Sequence, residues 1–135
     1  MKNLIMISLL SLSISALAFA GDLDGKTFKG KIGPSNEKKT YEDDLIFKAG
    51  TFVSTACETQ GHHATNYTSE TKDHVTTFVA TTTNKEGEKM LWNGTVKGDK
   101  AEAKIVTTHA DGKTEDWWYK GKTATGMTAS KKAKK

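Results

Sequence analysis

In MLWNGTV, Met90, Trp92, Gly94 and Val96 alternate with Leu91, Asn93 and Thr95, and the first set makes the more apolar face. A period of two is the mark of a half-buried β-strand. DLIF places Leu45 and Phe47 on one face, and DWWY places Trp117 and Tyr119 on one face and Trp118 on the other. HVTTFVATTT and FVSTAC do not choose a face: Val75, Thr77 and Val79 oppose Thr76, Phe78 and Ala80 with similar character. Segments rich in Thr, Val, Phe, Ile, Trp and Tyr recur between Gly, Asp, Asn and Lys, while a period of 3.6 is hard to find. The pattern predicts eight strands: Lys26–Ile32, Tyr41–Lys48, Thr51–Cys57, Ala64–Ser69, His74–Thr83, Lys89–Lys97, Lys100–Thr108 and Thr114–Lys122.

The connections set the topology. KAGT (48–51), TKDH (71–74) and KGDK (97–100) read as tight hairpin turns, with Gly98 suited to the positive-φ position of a type II′ turn. HADGK (109–113) is a further short turn, whereas 33–40, 58–63 and 84–88 are longer. Short connections pair each strand with the next. An eight-strand meander without a helical crossover closes most simply into a single antiparallel up-and-down barrel, which leaves no open sheet edge. The expected fold is therefore all-β, a single eight-stranded antiparallel up-and-down meander. Alternate turns share an end, so 33–40, 58–63, 84–88 and 109–113 are expected to ring an open end. That end would hold His62, His63, His109 and Asp111, with Cys57 on a strand leading into it, and His74 at the other end.

Composition trims this picture at both termini. Residues 1–20, MKNLIMISLLSLSISALAFA, carry a basic start, a short apolar run and an Ala-Phe-Ala end, the make-up of a secretory signal peptide. The alternative, an N-terminal membrane anchor, asks for about 20 predominantly apolar residues. Residues 21–123 form the expected barrel domain and 124–135 a disordered Lys-rich tail. A periplasmic or secreted location follows from the signal-peptide reading, with no membrane span in the domain itself. The chain has 20 Lys and no Arg; without the leader, 19 Lys face 16 acidic residues. Four of those Lys sit in the terminal KKAKK, so the basicity belongs to the tail. A folded nucleic-acid surface usually clusters basic side chains on one face, and no nucleic acid partner is expected. Lys131, Lys132, Lys134 and Lys135 would offer at most a weak contact with an anionic surface. One cysteine cannot make a disulfide within its own chain.

The opening DLDGKTFKGKIG resembles the calycin-type barrels, in which a Leu-x-Gly-x-x-Trp element starts the first strand and its aromatic plugs the base. Leu23, Gly25 and Phe28 stand at those places, with Phe in the position of Trp. LDGKTF, DLIFKAGTFVSTAC, LWNGTVKGDK and WWYKG are together similar to small secreted bacterial lipocalin-like proteins. The resemblance implies a barrel that takes a small-molecule ligand inside it.

Two constellations could carry chemistry. CETQGHH holds the lone Cys57 with His62 and His63; with His109 from the seventh turn, up to four donors for zinc or copper could meet at one rim. The spacing matches no structural zinc pattern, and the competing reading is a small buried Cys beside a solvated His loop. Trp92, Trp117, Tyr119 and Phe28 are the candidate ligand-contacting aromatics, against the commoner role of cross-strand packing. Nucleophile elbow, zincin and phosphate-loop motifs do not occur, so no enzyme activity and no resident cofactor are expected. Asp43-Asp44 and Glu115-Asp116 are neighbours on strands and point to opposite faces, so neither pair makes a facing dyad. A small-molecule binder comes first, then a metal-handling protein, then a protein-interaction or inhibitor module.

Overall fold

A computed structural model describes residues 21–124. The leader at 1–20 and the Lys-rich tail from 125 onward lie outside the described residues. The elements are β1 (Thr27–Pro34), β2 (Tyr41–Lys48), β3 (Thr51–Ser54), α1 (Thr55–Glu58), β4 (Thr65–Lys72), β5 (Val75–Thr83), β6 (Lys89–Lys97), β7 (Lys100–Thr108) and β8 (Thr114–Thr123). Every strand pairs antiparallel with the next, and β1 pairs with β8 to close the barrel. The bounds of β2, β6 and β7 coincide with those read from the alternation. The tight turns have the hairpin geometries that suit the strand twist. Ala49 and Gly50, and likewise Asp73 and His74, are both at positive φ, the type I′ pattern; Gly98 alone is positive in its turn, the type II′ pattern.

The third strand departs from expectation. It stops at Ser54, and the next four residues, Cys57 among them, form a single helical turn. Polar side chains end the strand. Ser54 Oγ accepts the Cys57 N–H at 3.2 Å, and the Asp43 carboxylate accepts the Ala56 N–H at 3.0 Å. These acceptors offer the backbone a partner other than a neighbouring strand. As a result β3 and β4 share two rungs, Thr51–Asn66 and Phe52–Thr65, where β6 and β7 share nine.

Packing settles the ambiguous faces. Phe78, Ala80 and Thr82 of β5 point inward and are buried, while Val79 is exposed. The Phe78 ring lies against Gly94 on β6, where an added Cβ would overlap its Cε1 and Cζ. Phe47 sits at the hub of the interior, with ring centroids 5.2 Å from Phe52, 4.9 Å from Tyr67, 5.0 Å from Phe78 and 6.0 Å from Phe28. Edge-on pairs at these distances contribute about 0.5–1.5 kcal/mol each beyond their buried area. The lower lumen is thus filled with side chains, as the width of eight strands permits. Outward positions of β6 and β7 carry Lys89, Asn93, Lys100, Glu102 and Lys104 together with the exposed Leu91 and Val106. This face is mostly polar, unlike the apolar outer band of a membrane-spanning barrel. Among the described residues no helix is long and apolar enough to cross a membrane.

The N-terminal turn plugs the closed end. Leu23 is buried, and the Gly25 N–H donates to the Phe47 carbonyl at 2.8 Å. Asp24 accepts from the Gly50 N–H at 2.9 Å and from the Tyr67 hydroxyl at 2.8 Å. The Gly50 hydrogen bond, joined by that of Tyr67, holds the Asp24 carboxyl below the usual carboxylate range.

Candidate functional site

The other end is hollow. A cavity of about 630 Å³ opens between the ends of β1 and β2, the α1 turn and the starts and ends of β6, β7 and β8. The register explains which side chains reach it. Thr82, Met90, Thr107 and Glu115 occupy one rung on adjacent strands β5 to β8. One rung further in come Ala80, Trp92, Ile105 and Trp117. Ile32, Ala56, Cys57, Met90 and Trp117 supply apolar wall, and Glu42, Glu88 and Glu115 supply carboxylates.

The loop histidine and the carboxylates form a chain of contacts along one side of the mouth. His62 is buried; its Nε2–H donates to Glu88 Oε1 at 3.0 Å, and its Nδ1 is 2.8 Å from Thr82 Oγ1. His109 Nδ1 lies 2.9 Å from Glu88 Oε2, and its Nε2–H donates to Glu115 Oε1 at 2.6 Å. The Glu115 hydrogen bond, with the Glu88 charge beside it, holds the His109 imidazole above its ordinary pKa.

Beneath α1 lies a buried carboxylate. Asp43 is 1% exposed, with Ser54 Oγ 2.8 and 2.7 Å from its two oxygens and the Ala56 N–H donating to it. Burial outweighs these hydrogen bonds and pushes its carboxyl up to about 6. Asp44 points the other way, to Lys29 at 3.2 Å, and its N–H donates to Thr55 Oγ1. Asp43 therefore pins the turn that carries Ala56 and Cys57 into the cavity wall.

The predicted site residues separate. His62, His109 and Cys57 all line the cavity, but His63 is exposed on an outer groove with Glu58, Asn84 and Glu86. Among the described residues no group of three or more His, Cys, Asp or Glu side chains is arranged to hold a metal ion. Of the four aromatics, Trp117 lines the cavity; Phe28, Trp92 and Tyr119 are fully buried in the packed core and do not. Sequence reasoning passed over Glu88 and Thr107, and weighed Asp43 and Glu115 only as members of adjacent acidic pairs that make no facing dyad. Strand parity carries the missing signal, since each stands two residues from an inward side chain: Leu45, Met90, Ile105 and Trp117.

Cys57 is a thiol at neutral pH. Burial pushes it up to about 12 from an ordinary 9.0. The thiolate is the reactive form, so native Cys57 should react with Ellman's reagent roughly a thousandfold more slowly than an exposed cysteine. It should become fully reactive in denaturant. Stoichiometric labelling of the folded protein within seconds at pH 7 would contradict this assignment.

Three buried polar atoms have no hydrogen-bond partner among the described residues: Trp92 Nε1, Tyr119 OH and Thr107 Oγ1. Thr107 alone of these residues lines the cavity. Fold and site together define a closed eight-stranded antiparallel barrel, packed at its base and hollow at its open end, with an acidic, His-bearing mouth. Comparison with protein-family models, curated proteins and solved structures gives no match to this chain.

Proposed function

We propose that this barrel binds a small molecule in its open-end cavity and performs no chemistry on it. The observation that carries this reading is the cavity itself. Its volume of about 630 Å³ falls in the range of small-molecule sites. Like such sites it has a mainly apolar wall and a few convergent polar groups. The Thr107 side chain belongs to this wall, and its hydroxyl is buried with no protein partner. A non-catalytic role fits the polar groups: the His62–Glu88–His109–Glu115 chain is internally paired, and the nearby Cys57 is held as the thiol. The signal-peptide pattern at 1–20 supports a periplasmic or secreted binder.

The neutral dye N-phenyl-1-naphthylamine tests the cavity. The folded protein should take up about one dye per chain with enhanced fluorescence, the capacity one drug-sized pocket allows. Ala56→Phe, which places a ring in the cavity from a partly buried position of α1, should weaken uptake at least about tenfold without loss of the barrel's circular dichroism. Absence of dye uptake by the folded wild type, or uptake unchanged in Ala56→Phe, would sink the reading.

A further inference from the structure

We infer that the cavity selects a protonated amine carried on a compact apolar body; this rests on the small-molecule reading above and names its ligand class. The first observation is charge. Among the described residues no Lys lines the cavity, while Glu42, Glu88 and Glu115 do. Glu42 is paired outward with Lys31 at 3.1 Å. His109 bridges the other two, Glu88 and Glu115. Two carboxylates thus share the mouth with a bridging imidazole and with no Lys or Arg beside them in the wall. An anionic head group would meet carboxylates and find no Lys or Arg in the wall. A cationic one gains an ion-paired hydrogen bond.

The second observation is independent of charge. Thr107 is 4% exposed, and its Oγ1 has no partner. It sits on the same rung as Glu115, directly across from it on the neighbouring strand. Paired residues on one face of a sheet stand about 5 Å apart at Cβ. That is a span which one ammonium group can bridge, donating one N–H to the Glu115 carboxylate and another to the Thr107 hydroxyl. A buried hydroxyl left without a partner is destabilising; it can donate or accept, so it rewards a polar head group, and beside the Glu115 carboxylate that head group is a donor.

The third observation concerns the wall. Trp117 lines the cavity and stacks with Tyr41, ring centroids 6.3 Å apart, one rung inward from Glu115. An aromatic face beside the carboxylate favours an organic cation over a metal ion or an anion. Met90 and Ile32 leave room for an apolar body below the head group. The three features converge on one chemical class.

Isothermal titration of the full chain with 1-naphthylmethylamine, 1-naphthalenemethanol and 1-naphthoic acid tests this, because the three share one apolar body. The amine should bind at least tenfold tighter than the alcohol, and the acid weakest. Glu115→Gln, at a half-exposed position that tolerates substitution, should bring the amine to within about threefold of the alcohol. Thr107→Val should weaken the amine severalfold. Melting curves confirm that each variant is folded, and Glu88→Gln serves in place of any variant that is not. Equal binding of amine and alcohol, stronger binding of the acid, or an amine preference unchanged in Glu115→Gln would overturn the amine assignment and leave the cavity reading standing. Binding of none of the three, together with failure of dye uptake, would remove both.

Discussion

Gly30→Ala should unfold or nearly unfold the barrel, whereas most single-methyl additions to a strand are tolerated. Gly30 of β1 pairs with Gly121 of β8 across the closing seam. A Cβ at Gly30 would overlap the Lys120 carbonyl oxygen and stand 2.5 Å from Gly121 Cα. Both obstacles are backbone, so no side-chain rotation relieves them. The strands must part, and their seven-rung pairing from Phe28–Thr123 to Pro34–Trp117 with them. Overpacking a well-packed site costs about 1–3 kcal/mol and occasionally more. The backbone origin of this clash places it at the upper end or above. The whole stability of a domain is only about 5–15 kcal/mol. Urea unfolding followed by tryptophan fluorescence should show a large drop in midpoint, or no folded baseline. A midpoint within experimental error of the wild type would mean that the seam is looser than described.

Asp43→Asn should stabilise the protein at pH 8 and fail to do so at pH 4. The folded state raises the Asp43 carboxyl from 3.8 to about 6. A raised carboxyl makes the folded form hold its proton where the unfolded chain has lost it. Its contribution is therefore full below about pH 4 and lost as pH rises through about 6. A rise of that size corresponds to roughly 3 kcal/mol. Asn keeps the shape, accepts the Ala56 N–H and donates to Ser54 Oγ, but carries no charge to bury. Urea midpoints of both proteins at pH 4 and pH 8 give the comparison directly. A difference between them that is the same at both pH values would show that burial of the Asp43 charge is not what sets its behaviour. Because Asp43 pins α1, the same titration acts on the wall that holds Ala56 and Cys57.

The strand count, the pairing of neighbours and the end that bears the larger loops were legible in the chain because alternation and turn chemistry are local. Tyr41–Lys48 and Lys89–Lys97 declare themselves by their own side chains. The end of β3 did not, because FVSTAC reads as a continuous strand until the Asp43 carboxylate, eleven residues earlier than Ser54, arrives to take the Ala56 N–H. The CETQGHH cluster was also only half legible. Sequence places His62 and His63 together, but the loop turns His62 inward to Glu88 and His63 outward. Trp92 and Tyr119 look like ligand contacts in one dimension. In three, Trp92 packs on Phe52 at 4.9 Å and stands 6.4 Å from Tyr119, in the filled half of the lumen. Depth along the barrel is a property of register and shear, and no local pattern encodes it.

The β1–β8 seam also shapes how the molecule is made. Every other seam joins strands that are consecutive in the chain, so it zips from a hairpin or short loop. This one joins Phe28 to Thr123, almost the whole described length. Loop-closure entropy grows only with the logarithm of length, so the long reach is itself a modest penalty. The harder requirement is that the intervening hairpins already twist in register before their ends can meet. Contacts of such long range form slowly, and until they form, the edges of both β1 and β8 stay open to other chains. At Gly30–Gly121 the two strands of this seam meet backbone to backbone, with no side chain between them at that rung.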